Sequence, residues 1–449
     1  MTPIPRRRMR TRWWIFVFMF AFALLSFVQR TSISVAADTI MPVLHLTQVQ
    51  IGLLNTAFLI AYTVMQIPGG VIGQKFGARL TYIGVGAIGV AATLATPLLP
   101  VLYSGTALFL GLLAAQVVLG VALAPVFPVF ASVVEAWFPK NRWAIVNGLQ
   151  TSGMLLGGAI TPILVVSLTR AIGWQGALLC IAIPVAIVTV GWGWYGRSTP
   201  RQHPTVSEAE LAELDQAQLE AAPPLTLRRL GRIVADRNVL LLSISYLLMN
   251  YTFYLLTYWS FLYLVQVRHF TGIESGFAGM VPWIGAAFGA GVGGFLSDRL
   301  AERLGARWGY RIVPLIALPS VAALLLLTIS VSTPYAAVFA LAAAFGAVEI
   351  NEGAYWAAAM RVARADTGAA TGVLNTGGNL GGILCQPIIA ALSAAGAWNA
   401  AFATGTVLAL AAAGAWLLID SDRAVNLGAG DIREDRHKAT AVARVRADI

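Results

Sequence analysis

The sequence predicts an all-α integral membrane protein of twelve transmembrane helices in two six-helix, pseudo-symmetric halves. Three observations carry this. Hydrophobic side chains make up 58% of the 449 residues and charged ones only 11%, too few to cover a water-soluble surface. Apolar windows of at least about 20 residues, the length that crosses a bilayer core of roughly 30 Å, recur along almost the whole chain. All but three of the 30 Lys and Arg fall on one side of the membrane when the spans are counted from an inside N-terminus.

Arg6, Arg7, Arg8, Arg10 and Arg12 precede the first apolar run, Trp13 to Ala37. That basic start, with Ser34-Val35-Ala36-Ala37 at the end of the run, has the outline of a cleaved leader. The run is longer than a leader's apolar core, however, and removing it would leave an odd helix, so it reads as span one. The spans are 13–37, 49–73, 80–101, 104–134, 144–169 and 174–195, then 238–266, 273–298, 311–331, 334–360, 367–392 and 397–419. Between the sixth and seventh lies a polar stretch rich in Pro, Glu and Arg, with an amphipathic helix near 207–221 capped by Ser207. The organisation is an N-terminal half over 1–195, a cytoplasmic linker over 196–237, a C-terminal half over 238–419 and a solvated cytoplasmic tail over 420–449. Arg170 and Arg268 alone fall outside and Arg30 lies within the membrane, which puts both termini in the cytoplasm of a bacterial-type inner-membrane protein.

The net charge of +10 follows from this topology and is spread over many cytoplasmic segments, so it does not point to nucleic acid. Cys180 and Cys385 both sit inside spans, and His45, His203, His269 and His437 fall in loops or tail; no disulfide framework, metal site or intramembrane histidine relay follows. With no nucleophile–base set and no cofactor loop, an enzyme is not expected, nor any cofactor. Glycines at four-residue spacing (Gly153, Gly157; Gly285, Gly289, Gly293; Gly377, Gly381) read as close helix-packing surfaces.

Gly70-Val-Ile-Gly73-Gln74-Lys75-Phe-Gly77-Ala-Arg79 stands between spans two and three. Gly294-Phe-Leu-Ser-Asp298-Arg299-Leu-Ala-Glu-Arg303-Leu-Gly305-Ala-Arg307 stands between spans eight and nine, 224 residues later. Equivalent loops in two halves point to a parallel repeat with a substrate path at their interface. The loops resemble the G-x-x-x-D-R-x-G-R signature of the major facilitator superfamily, with Gln74 in place of the first aspartate. A closer likeness lies in Arg30-Thr-Ser-Ile-Ser-Val-Ala, Gly52-Leu-Leu-Asn-Thr-Ala-Phe58-Leu-Ile-Ala-Tyr62, Gln66-Ile-Pro68-Gly69-Gly70, Ala124-Pro125-Val-Phe127-Pro128, Trp137-Phe138-Pro139 and Gly372-Val-Leu-Asn375-Thr-Gly-Gly-Asn379. In this order they look like the anion:cation symporter family, whose members carry hexuronate, galactonate, glucarate, and in animal vesicles glutamate and sialic acid.

That resemblance implies a carrier of organic anions working by alternating access and usually driven by protons. It carries the family's substrate-lining residues onto Arg30, Tyr62, Asn375 and Asn379, and its gate onto Asp298 with Arg299, Lys75 and Arg79. Where the family has N-half charges, this chain has Gln29, Gln116 and Leu123, so the usual coupling carboxylates are gone. The deep acids are instead Glu349 and Glu352, which with Trp356 fall within about a 60° arc of one continuous helix. Such a pair is suited to gaining and losing the coupling proton; the alternative is that Glu352 makes a fixed structural hydrogen bond. Arg30 either forks onto a substrate carboxylate or is permanently paired with Glu352. Tyr254, Tyr62 and Gln66 offer hydroxyl and amide groups to orient a substrate, and Trp356 is a further substrate-binding candidate. The expected function is secondary transport of a small organic anion with H+, by a single chain in the bilayer. The rival readings are proton-coupled efflux of a cationic or amphipathic compound, and a transporter-like receptor or scaffold.

Overall fold

The computed structural model describes residues 10–215, 218, 225–270 and 272–425. Arg6, Arg7 and Arg8, the C-terminal part of the 207–221 stretch, and the tail beyond residue 425 with His437 lie outside the described residues. Lipid offers no partner for backbone polar groups, so each span folds as helix, which pairs them internally. Span one is α1 (Thr11–Val35), followed by α2 (Ala37–Leu44). Span two comprises α3 (Gln48–Val64) and the start of α4 (Gln66–Leu102), which continues through span three. Span four is α5 (Gly105–Leu123) with α6 (Val126–Trp137), and α7 (Trp143–Tyr195) holds spans five and six. The linker contributes α8 (Glu208–Leu211) and α9 (Leu227–Val234). Spans seven, eight and nine are α10 (Arg237–Gln266), α11 (Gly272–Leu304) and α12 (Ala306–Ser330). Span ten is α13 (Pro334–Glu349) with α14 (Glu352–Ala363), and α15 (Thr367–Ala394) and α16 (Trp398–Trp416) complete the set.

The repeat is visible in the backbone. Gly77 (φ 79°, ψ 160°) and Gly305 (φ 81°, ψ 160°) make the same left-handed turn in the two signature loops, a conformation that excludes most side chains. Spans four and ten are interrupted at equivalent places. At Ala124-Pro125 the proline cannot donate to the preceding turn, so the helix restarts at Val126. At Ile350-Asn351 there is no proline; Asn351 Nδ2 donates to the carbonyls of Ala347 (2.8 Å) and Val348 (3.0 Å) and satisfies the end of α13. Glu349 and Glu352 therefore lie on either side of a break, not on one continuous helical face as the sequence suggested. Span two also breaks, at Met65, between Tyr62 and Gln66.

Two seams join the halves. Along one, α4 meets α15; along the other, α7 meets α11. The approach is closest at Gly70, where a Cβ would stand 2.0 Å from the Gly368 carbonyl oxygen; on the other seam one at Gly148 would stand 2.3 Å from the Ala290 carbonyl oxygen and one at Gly294 2.4 Å from that of Ala144.

The linker is strapped to the N-half. Among the described residues the 207–221 stretch is helical over Glu208–Leu211, capped by Ser207 as expected, turns at Ala212 and is helical again at Gln218. Arg12, 2% exposed, donates from its backbone N (2.9 Å) and Nε (3.1 Å) to Glu210 Oε1, and from Nη1 to Glu213 Oε2 (3.0 Å). Further on, Arg229 of α9 pairs with Asp366 at 2.8 Å, both buried, at the start of span eleven. Arg12→Ala leaves the Glu210 carboxylate buried without its cation and is expected to destabilise by about 3–5 kcal/mol, read as a lower melting temperature. Burial pushes Glu213 up, but Arg10 and Arg12 outweigh it and hold its carboxyl below the ordinary value of 4.5. Its contribution to the strap is therefore present above that value and lost as pH falls through the lowered one.

Candidate functional site

Between the halves lies a small cavity. The N-half lines it with Phe27, Arg30, Tyr62, Phe127, Thr151 and Met154, and the C-half with Tyr246, Asn250, Phe253, Tyr254, Glu349, Glu352, Trp356, Asn375 and Asn379. Of the residues singled out for binding and coupling, all but Gln66 reach it directly.

Arg30 sits among rings. Its guanidinium carbon is 5.5 Å from the ring centres of Phe27 and Phe58 and 5.6 Å from that of Tyr62, and Nη2 donates to Tyr258 Oη at 3.4 Å. Among the described residues no carboxylate lies within 4.0 Å of it, so it is not paired with Glu352. Each ring face stabilises the cation by about 0.5–2 kcal/mol without using its N–H groups, which leaves most of the donor fork available.

A ladder of amides and hydroxyls runs from the cavity to its floor. Tyr254 Oη donates to Asn379 Oδ1 (2.9 Å), Asn379 Nδ2 to the Asn375 carbonyl (2.8 Å), and Asn375 Nδ2 across the halves to Gln66 Oε1 (2.9 Å). Gln66 Nε2 is buried with no partner. Span eleven comes this near to Tyr254 because Gly382 has no side chain: a Cβ there would stand 2.5 Å from the Tyr254 ring.

The two acids have different surroundings. Glu352 opens α14, at the positive end of a helix dipole, and its Oε2 accepts from Trp356 Nε1 (2.8 Å) and Tyr246 Oη (3.0 Å). Glu349 closes α13, at a negative end; it is 1% exposed and both carboxyl oxygens lack a hydrogen-bond partner.

Residues 19–364 match the family model of the Major Facilitator Superfamily. The chain belongs to that superfamily. It is 29% identical over 399 residues to a probable sulfoacetate transporter of Cupriavidus necator, covering 86% of this chain and 87% of the relative. It is 26% identical over 378 residues to the hexuronate transporter of Bacillus subtilis, covering 82% and 85%. The superfamily fold is shared with the solved proton:xylose symporter XylE, at a TM-score of 0.70 and 12% identity over 92% of this chain and 97% of that one. The relatives are transporters, as expected of a chain that is not an enzyme.

In this superfamily member the signature loops meet the opposite half, though not through every residue expected there. Asp298 accepts from the backbone N–H groups of Ala144 (Oδ1, 3.0 Å) and Ile145 (Oδ2, 2.8 Å), the first turn of α7, and from Tyr310 Oη at 3.4 Å. Gln74, its counterpart, instead donates to the Ala365 carbonyl at 3.1 Å, before span eleven. Two acids already crowd that place, Asp366 and the half-buried Glu135, whose side chain is held by Thr367; a neutral amide at position 74 avoids adding a third. Lys75 lies over Phe76, and Arg299 lies 3.6 Å from Glu302 on its own helix. Arg79 ties span three to span six by donating to the Gly193 carbonyl (2.6 Å). Among the described residues none of these three bridges the halves.

Asp298→Asn keeps one acceptor and loses the charge, leaving one buried N–H of α7 unmatched. The junction is expected to weaken by about 1–3 kcal/mol. A cysteine placed at Ser132, beside Gly368 at the other seam, would then be labelled roughly 5–150-fold faster by a water-soluble thiol reagent.

Asn250 belongs to the span-seven stretch from Asn250 to Trp259 whose amide and hydroxyl groups the sequence offers to a substrate, whereas Tyr246, Thr151, Met154, Phe27, Phe127 and Phe253 had no assigned role. The sign for Tyr246 was present: Tyr246, Asn250, Tyr254 and Tyr258 recur every four residues along α10 and form one stripe.

Proposed function

We propose that this chain is a proton-coupled secondary carrier of a small organic anion, working by alternating access. The observation that carries the reading is Arg30: a guanidinium on a cavity between the halves, surrounded by rings and tyrosine hydroxyls, with its fork unclaimed by any carboxylate among the described residues. Keeping such a charge inside a membrane protein is costly unless it has a task, and a bidentate acid group is its natural partner. The relatives' names, sulfoacetate and hexuronate, share an acid group on a small polar body.

In this reading Arg30 holds the acid group, and Tyr62, Tyr254, Asn375 and Asn379 orient the rest, with Gln66 bracing Asn375 and Trp356 bracing Glu352. Glu352, beside Glu349, is the protonation switch. Asp298 fastens one closed state, with Lys75, Arg79 and Arg299 engaged elsewhere in the cycle. The units that rock are residues 1–195 and 238–419, joined by 196–237, in a monomer with both termini on the cytoplasmic side of the inner membrane. Uptake of labelled sugar acids and sulfonates into proteoliposomes tests this. Accumulation driven by an inward proton gradient and collapsed by a protonophore supports it; uptake of organic cations in exchange for protons, with no acid carried, contradicts it.

A further inference from the structure

The cavity is bipolar. On one wall is Arg30, without a carboxylate partner; on the other is Glu349, buried and with neither oxygen engaged. Glu352 does not compensate Glu349, since it is an acid itself and its Oε2 is already taken by Tyr246 and Trp356. An acid bound at Arg30 alone would answer the cation and leave the orphan carboxyl as it was.

Three features of the Glu349 end favour a positive group there. It closes α13, so the carbonyl end of that helix dipole points the same way as the carboxyl. Both of its oxygens are buried and without a partner, and a buried polar group without a partner is destabilising until something fills it. The lining it shares is aromatic: Trp356 packs against Tyr246 and Phe127, at ring-centre distances of 6.4 and 6.3 Å, and Phe253 lines the same cavity. Ring faces beside a carboxylate are the surroundings that an alkylammonium group selects. Arg30 at one pole and a carboxyl in an aromatic wall at the other together match a molecule carrying both charges.

We propose that the preferred substrate is a zwitterion: an acid with a cationic nitrogen, its acid group on Arg30 and its nitrogen at Glu349. This rests on the anion-carrier reading for the Arg30 end and adds a separate requirement at the other.

The test is binding to the purified full-length protein at pH 7, followed by calorimetry. The probes are two matched series, from glycine to 6-aminohexanoate and from glycolate to 6-hydroxyhexanoate, together with sodium chloride against choline chloride. At the best chain length the amino acid is expected to bind at least roughly tenfold tighter than its hydroxy counterpart. Glu349→Gln should erase that preference, Glu349→Asp should restore part of it, and Arg30→Gln should abolish binding of both series. The proposal is overturned if the hydroxy acid binds as well as the amino acid, or if the preference survives in Glu349→Gln. It is also overturned if sodium, not the amino group, gives the Glu349-dependent signal, which would make the site a metal-cation site. Binding of neither series, or binding that survives Arg30→Gln, removes the anion-carrier reading as well.

Discussion

In Glu352→Gln, exchange of substrate across a liposome membrane is expected to persist while accumulation driven by a proton gradient disappears. The substitution keeps an oxygen to accept from Tyr246 and Trp356, so the wall it forms stays in place. What it removes is the ability to bind and release a proton. With one proton per substrate, each pH unit of gradient supports about tenfold accumulation. The variant should therefore equilibrate substrate without concentrating it. Normal accumulation by this variant would move the coupling proton elsewhere, and Glu349 is the next acid on the cavity.

Gly294→Ala and Gly70→Ala are expected to release the closed seam at the end of the bundle carrying the signature loops. A Cβ at 294 would stand 2.4 Å from the Ala144 carbonyl oxygen, and one at 70 would stand 2.0 Å from that of Gly368. The opposing atoms are backbone, so no side chain can turn aside, and the helices must part. Parting at Ala144 also stretches the Asp298 bonds to the start of α7, so a steric change and a hydrogen-bond loss act together. Turnover should fall by roughly tenfold or more, and thiol labelling at Ser132→Cys should rise, because the population moves to the arrangement open at this end. Gly84→Ala is the control, since nothing lies within 4 Å of its would-be Cβ. Equal behaviour of Gly294→Ala and Gly84→Ala would mean that this seam does not set the cycle.

Charges were legible in the sequence because they stand out against an apolar background. Arg30, Glu349 and Glu352 each interrupt a hydrophobic run, and all three reach one cavity. The polar residues carried over by resemblance, Tyr62, Asn375 and Asn379, also converge there. Phe27, Phe127, Phe253 and Met154 were not legible, because an apolar residue on a membrane helix reads alike whether it faces lipid, a neighbouring helix or a cavity. The break in span four was announced by Pro125. That in span ten was not, since it depends on Asn351 folding back onto the last carbonyls of α13. This break separates Glu349 from Glu352 and gives them opposite ends of two helix dipoles, a difference that a count of 100° per residue could not supply. Glu135 passed unnoticed near a span end, where an acid is ordinary; its meaning comes from Thr367 and Asp366 across the seam.

Whether an acid seats on Arg30 is tested most directly by the melting temperature of the purified protein across a panel of acidic, neutral and cationic solutes, repeated on Arg30→Gln. A ligand raises that temperature only by binding the folded state in preference to the unfolded one. The prediction is stabilisation by acid-bearing solutes, with or without an amino group, that vanishes in Arg30→Gln. Stabilisation confined to solutes without an acid group, and unchanged in Arg30→Gln, would contradict it.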